Sequence, residues 1–124
     1  MLASLVALIL GTTLAAAPAA DTTLNGEWKL RNDIAGNVSE MTCTFTQKQT
    51  ELTGKCVSDA APNGVEISGS VDQASVSWVY RGTYEGNPIT LTYRGTLGDG
   101  TLSGSVSVEE FSVSGEFSGA PVKK

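Results

Sequence analysis

From Leu24 onward the apolar residues recur with a period of two, the spacing of strands that bury one face. Leu24, Gly26, Trp28 and Leu30 fall on one side of the first such segment, and Asn25, Glu27, Lys29 and Arg31 on the other. The next segments place Met41, Cys43 and Phe45 on one face, then Leu52, Gly54 and Cys56, then Val65, Ile67, Gly69 and Val71. Val76, Trp78 and Tyr80 make a fifth segment, and Ile89, Leu91, Tyr93 and Gly95 a sixth. Leu102, Gly104, Val106 and Val108 make a seventh, and Phe111, Val113, Gly115 and Phe117 an eighth. The positions between them are mostly Ser, Thr and charged residues, and no segment has helical periodicity. The pattern predicts an all-β domain of eight antiparallel strands.

A second regularity lies inside the first. An apolar-x-Gly-x-apolar unit recurs around Gly26, Gly54, Gly69, Gly95, Gly104 and Gly115, and each glycine falls on the inward face. Glycine inside a strand gives up packing, so its repetition needs a cause. Sheet closure supplies one, because glycines let strands bend sharply at barrel corners. The expectation is an up-and-down barrel; a twisted sandwich with glycines for close packing is the alternative.

Folding the second segment onto the third about Gln49-Thr50 sets Phe45 opposite Gly54 and Cys43 opposite Cys56. Counted outward from a two-residue loop, the cysteines form a non-hydrogen-bonded pair, where side chains sit closest. A structural disulfide is therefore expected, worth about 3 kcal/mol on the chain-entropy account. A redox-active dithiol is the other reading, without the usual C-x-x-C spacing.

In up-and-down order the connections at one end are tight, around Gln49-Thr50, Asp72-Gln73 and Gly98-Asp99. Those at the other end read as longer: Asn32 to Asn37, Asp59 to Asn63 and Thr83 to Asn87. This predicts a closed end carrying both termini and a loop-rimmed mouth, the place where small barrels bind ligands.

Ahead of the strands, Leu2 to Leu14 is almost continuously apolar and leads into Ala15-Ala16-Ala17-Pro18-Ala19-Ala20. A short apolar core before small residues reads as a secretory signal peptide, residues 1–19, with the barrel domain at 20–124. The run is shorter than the roughly 20 residues a membrane span needs, and no cysteine follows it to carry a lipid. A secreted or periplasmic, monomeric protein with no membrane span in its mature form is expected.

The chain has 124 residues, with a net charge of −5 and no histidine. Its eight basic residues are scattered, which argues against nucleic acid as a partner. Without histidine, Ser-His-Asp and Cys-His nucleophiles and imidazole metal sites are excluded. Carboxylates are the remaining catalytic candidates, and all read as outward or in loops, with Glu109-Glu110 in a turn. No catalytic residue, metal or cofactor is expected. Asn37-Val38-Ser39 matches a glycosylation acceptor, of consequence only in a eukaryotic source.

The first strand's Gly26-Glu27-Trp28, followed by a glycine-punctuated meander, resembles the calycin-like barrels, the lipocalins, avidins and their relatives. The stretch Leu52 to Val106 is more closely similar to small secreted bacterial barrel domains of unknown function. The likeness rests on Leu52-Thr53-Gly54, Ile67-Ser68-Gly69-Ser70-Val71-Asp72, Val76-Ser77-Trp78 and Leu91-Thr92-Tyr93-Arg94-Gly95-Thr96-Leu97. In lipocalins the first-strand Trp packs under a basic residue of the last strand; after Phe117 the basic residues here are Lys123 and Lys124. The inward face lacks the polar set that biotin binding needs in avidins. Secreted bacterial inhibitors of metalloproteases form a related barrel and insert a free amino-terminal segment into the protease cleft. The resemblance would give that role to Ala20-Asp21-Thr22-Thr23.

Trp28, Phe45, Trp78, Tyr93, Phe111 and Phe117 are all expected to face inward. They either fill the core, which an eight-stranded barrel is just wide enough to hold, or line an apolar pocket. Met41, Trp78, Tyr80 and Ile89 are expected toward the mouth, and Tyr84 at its rim either contacts a ligand or folds over the opening. The functional expectation is non-catalytic binding of a small apolar or amphipathic ligand, or of a partner, at the mouth. The competing expectation is a protein-interaction module such as a protease inhibitor.

Overall fold

A computed structural model describes residues 23–122. The expected signal peptide, most of the amino-terminal segment Ala20 to Thr23, and Lys123-Lys124 lie outside the described residues. Eight strands run in order: β1 (Gly26–Ile34), β2 (Asn37–Lys48), β3 (Glu51–Ser58), β4 (Ala61–Asp72), β5 (Ser75–Tyr84), β6 (Asn87–Gly98), β7 (Thr101–Val108) and β8 (Val113–Pro121). Each pairs antiparallel with its sequence neighbours, and β1 pairs with β8 to close the barrel. No helix among the described residues is long and apolar enough to cross a membrane.

The inward face is the one the two-residue period marks. Leu24, Leu30, Phe45, Leu52, Trp78, Tyr93, Leu102 and Val106 are all fully buried. The β2–β3 register pairs Phe45 with Gly54 and Cys43 with Cys56, and the two cysteines form a buried disulfide with Cα atoms 3.9 Å apart.

Five of the inward glycines stand where the wall turns most tightly. A Cβ on Gly69 would strike the Ser77 carbonyl of β5, and one on Gly104 the Arg94 carbonyl of β6. Gly54, Gly95 and Gly115 meet neighbouring-strand carbonyls in the same way. Bare glycine lets adjacent backbones approach more closely than a pleated pair with two side chains, and the sheet coils onto itself. Gly26 differs from the expectation: it is exposed, at φ 120°, with nothing near its would-be Cβ. It serves the chain's entry into β1 and not wall curvature.

The loop-rimmed mouth is also corrected. The β1–β2, β3–β4 and β5–β6 connections are two-residue turns, Ala35-Gly36, Asp59-Ala60 and Glu85-Gly86, as tight as those at the opposite end. Ala35-Gly36, Glu85-Gly86 and Asp99-Gly100 have both residues at positive φ, the hairpin geometry that continues strand twist. Beyond the core both faces of a hairpin meet water, so the sequence loses its apolar period while the backbone ladder continues. The connection without a two-residue turn is β7–β8, where Glu109–Phe111 forms a 3-10 turn ended by Ser112 in the left-handed region. Phe111 rides on this turn and is 49% exposed, and Val113 is exposed beside it. Neither faces the core as expected, because the chain is still turning there and β8 gains an inside only at Gly115.

Two stability tests follow from this wall. Gly69→Ala is expected to cost about 2–3 kcal/mol through backbone collision. Gly98→Ala, with nothing within 4 Å of its new Cβ, should stay within about 0.5 kcal/mol of the parent in guanidinium unfolding. In the same assay the Cys43→Ala/Cys56→Ala double variant should lose about 3 kcal/mol.

Candidate functional site

The residues expected at the mouth fall at three depths. Trp78 is at the barrel centre, stacked on Tyr93 with centroids 4.8 Å apart and set edge-on to Phe117 at 5.4 Å. Phe45 closes the cluster at 5.0 Å from Trp78. These four rings fill the core, so the interior at their level is packed side chain. The Trp78 indole N–H finds no acceptor there. Trp28, at the terminal end, donates its indole N–H to the Leu24 carbonyl at 3.0 Å. Met41 is buried, Tyr80 and Ile89 are partly buried against the core, and Tyr84 is 53% exposed.

Above the aromatic cluster the interior changes character. The Tyr93 hydroxyl donates to Asn32 Oδ1 at 3.1 Å, and Asn32 Nδ2 reaches Ser39 Oγ at 3.5 Å. The Tyr80 hydroxyl is hydrogen-bonded with Ser58. Burial raises the Tyr93 phenol well above its ordinary value, the neighbouring Tyr80 raises it further, and the Asn32 bond opposes both. Burial likewise raises Tyr80, against the Ser58 bond. Asn32 was expected in a loop, and it is the buried polar residue of the core. Its signal was present: it continues the inward series Trp28, Leu30, Asn32, Ile34.

At the rim the 3-10 turn and the β5–β6 hairpin meet. Tyr84 and Phe111 stand edge to face with centroids 6.0 Å apart. Glu110 accepts hydrogen bonds from the Thr90 backbone N–H at 2.7 Å and from its hydroxyl at 3.0 Å, and Glu109 accepts from the Thr92 hydroxyl at 2.8 Å. The β6–β7 ladder stops at Leu91 and Val108, so the Glu110 carboxylate continues it where β7 has ended. The Thr90 N–H bond holds the Glu110 carboxyl below its ordinary value. This arrangement fixes the turn that carries Phe111.

Two shallow clefts lie elsewhere. One, at the terminal end, is lined by Asn25, Gly26, Glu27, Trp28 and Pro121 among others. The other crosses the outside of β6–β8, between Arg94, Ser105 and Glu116. Each holds a single carboxylate, Glu27 or Glu116, whereas paired-carboxylate chemistry needs two. The outward face of the wall is hydroxyl and charge, as in Thr42, Thr44 and Thr46 of β2 and Ser103 and Ser105 of β7. No protein-family model and no curated protein matches this chain.

The buried hydroxyl pair gives a test with two readouts. Tyr93→Phe leaves Asn32 Oδ1 without its donor and should cost about 1–2 kcal/mol. Because the folded phenol titrates higher than the unfolded one, its contribution is complete below about pH 10 and lost as pH rises above that value. Stability of the parent should therefore fall on the alkaline side, and Tyr93→Phe should flatten the fall; an equal slope in both proteins would contradict the assignment.

Proposed function

We propose that this chain is a non-catalytic, exported barrel of the calycin-like kind that binds a small amphipathic ligand at the end where the 3-10 turn meets the β5–β6 hairpin. The observation that carries this reading is the exposed Tyr84–Phe111 pair, set beside the partly buried Tyr80 and Ile89 at one end of a filled barrel. Aromatic side chains left in water at a rigid rim gain most from a ligand that covers them. The filled centre favours a shallow seat, with an apolar part against the rings and a polar part toward the hairpin tips. Trp28 on the first strand and the closed eight-stranded meander support the calycin-like reading. The buried disulfide supports export to an oxidising compartment.

The test uses 8-anilinonaphthalene-1-sulfonate as the amphipathic probe, titrated into the folded protein and followed by fluorescence. Saturable binding is expected. The Tyr84→Ala/Phe111→Ala double variant, altered at exposed positions alone, should weaken it by about 2 kcal/mol, roughly thirtyfold. Absence of saturable binding, or equal affinity in the double variant, would overturn this reading.

A further inference from the structure

The sequence contains the dipeptide Asn-Gly twice, at Asn25-Gly26 and Asn63-Gly64, and the fold treats the two differently. Gly26 pairs with Phe45 of β2, and the Asn25 Oδ1 accepts the Gln47 backbone N–H at 2.8 Å. Asn63-Gly64 sits in the irregularity of β4. The β3–β4 register passes from Cys56↔Val65 to Ser58↔Ala61, leaving Pro62, Asn63 and Gly64 without partners on β3. On the other side, β4 meets β5 only from Ile67 onward. The dipeptide thus lacks a ladder partner on both flanks. The Asn63 side chain is exposed and makes no hydrogen bond among the described residues, and Gly64 stands at φ 90°.

We propose that Asn63 is a site of spontaneous covalent modification, in which the Gly64 backbone nitrogen displaces the Asn63 side-chain amide to leave aspartate and isoaspartate, while the fold slows the same reaction at Asn25. In the first step the Gly64 amide gives up its proton to a base in solution and its nitrogen bonds to Asn63 Cγ. The Cγ–Nδ2 bond breaks, and the amide nitrogen takes up a proton and leaves as ammonia. In the second step water opens the cyclic imide. Attack at Cγ restores the original backbone as aspartate, and attack at the main-chain carbonyl gives isoaspartate. No electrons are exchanged, and each product carries one more negative charge.

Three features favour the reaction at this position. Glycine after the asparagine removes the side chain that would block the approach of nitrogen to Cγ. The lack of a ladder partner on either flank lets the two groups meet without breaking the sheet, whereas at Asn25-Gly26 the Asn25–Gln47 bond and the Gly26–Phe45 pairing must first be lost. Asn63 is exposed, so base and water reach the dipeptide directly. Isoaspartate inserts a backbone carbon, and a stretch already out of register absorbs it without unfolding the barrel.

The experiment incubates the folded, disulfide-bonded protein at neutral and at mildly alkaline pH and follows acidic species by ion exchange and peptide mapping. Asn63 should convert faster than Asn25 by about an order of magnitude in the folded protein, faster still at the higher pH, and the two should converge once the chain is reduced and unfolded. Asn63→Gln should remove the principal acidic species while leaving the fold intact. Equal rates at the two asparagines in the folded protein would overturn the proposal. So would an unmodified Asn63 under conditions that convert both in the unfolded chain, or acidic species that persist in Asn63→Gln.

Discussion

The barrel depends on how closely its strands approach at the inward glycines. At Gly69 and Gly104 the neighbouring strand's carbonyl occupies the space a side chain would need. That approach sets the curvature, and the curvature sets how much room remains inside. The four rings of Phe45, Trp78, Tyr93 and Phe117 take that room. Wall and filling are thus one constraint: bulk added to the wall and bulk removed from the centre each leave the other without its fit. Stacking and edge-on contacts among the rings account for the use of aromatics where aliphatic chains would also be buried.

The architecture was legible because the core face is simple. Period two from Leu24 to Phe117 gave the eight strands, and the hairpin count from Gln49-Thr50 gave the cysteine register that the disulfide adopts. Legibility failed where the physics behind the pattern stopped operating. Asn32 to Asn37 and Thr83 to Asn87 read as loops because the inward series there passes through a buried amide, Asn32, and then thins out to single apolar residues, Ile34 and Tyr84, among polar ones. Phe111 and Val113 fitted the period, but no interior lies beneath them. Gly119, buried against Leu30, was hidden by following the last marked aromatic. Of the residues expected at the mouth, Trp78 proved central, since a one-dimensional pattern gives the face of a residue but not its height along the axis.

The two ends of the molecule are finished by different chemistry. At the terminal end Leu24 plugs the barrel, and Gln47 ties the start of β1 to the β2–β3 hairpin through its side chain and backbone. At the other end hydroxyls and one amide sit between the ring cluster and water, and a carboxylate substitutes for missing strand. The first end is closed by apolar contact and neutral hydrogen bonds. The second is held by polar groups, from the buried Tyr93–Asn32 bond to the exposed Glu109 and Glu110 carboxylates bonded to β6.

The β1–β8 seam has a kinetic meaning. Every other strand pair joins neighbours across a short connection, so seven hairpins can form from local chain alone. Only the seam unites distant sequence, from Trp28 paired with Pro121 to Ile34 paired with Gly115. Closing a loop of that length in a flexible chain would carry about 4 kcal/mol of entropy on the logarithmic law; hairpins formed first remove most of that freedom, whereas the disulfide, inside a single hairpin, shortens the loop only slightly. The order of assembly is thereby written into the topology: a curling meander first, and the cylinder only when its two outermost strands find each other.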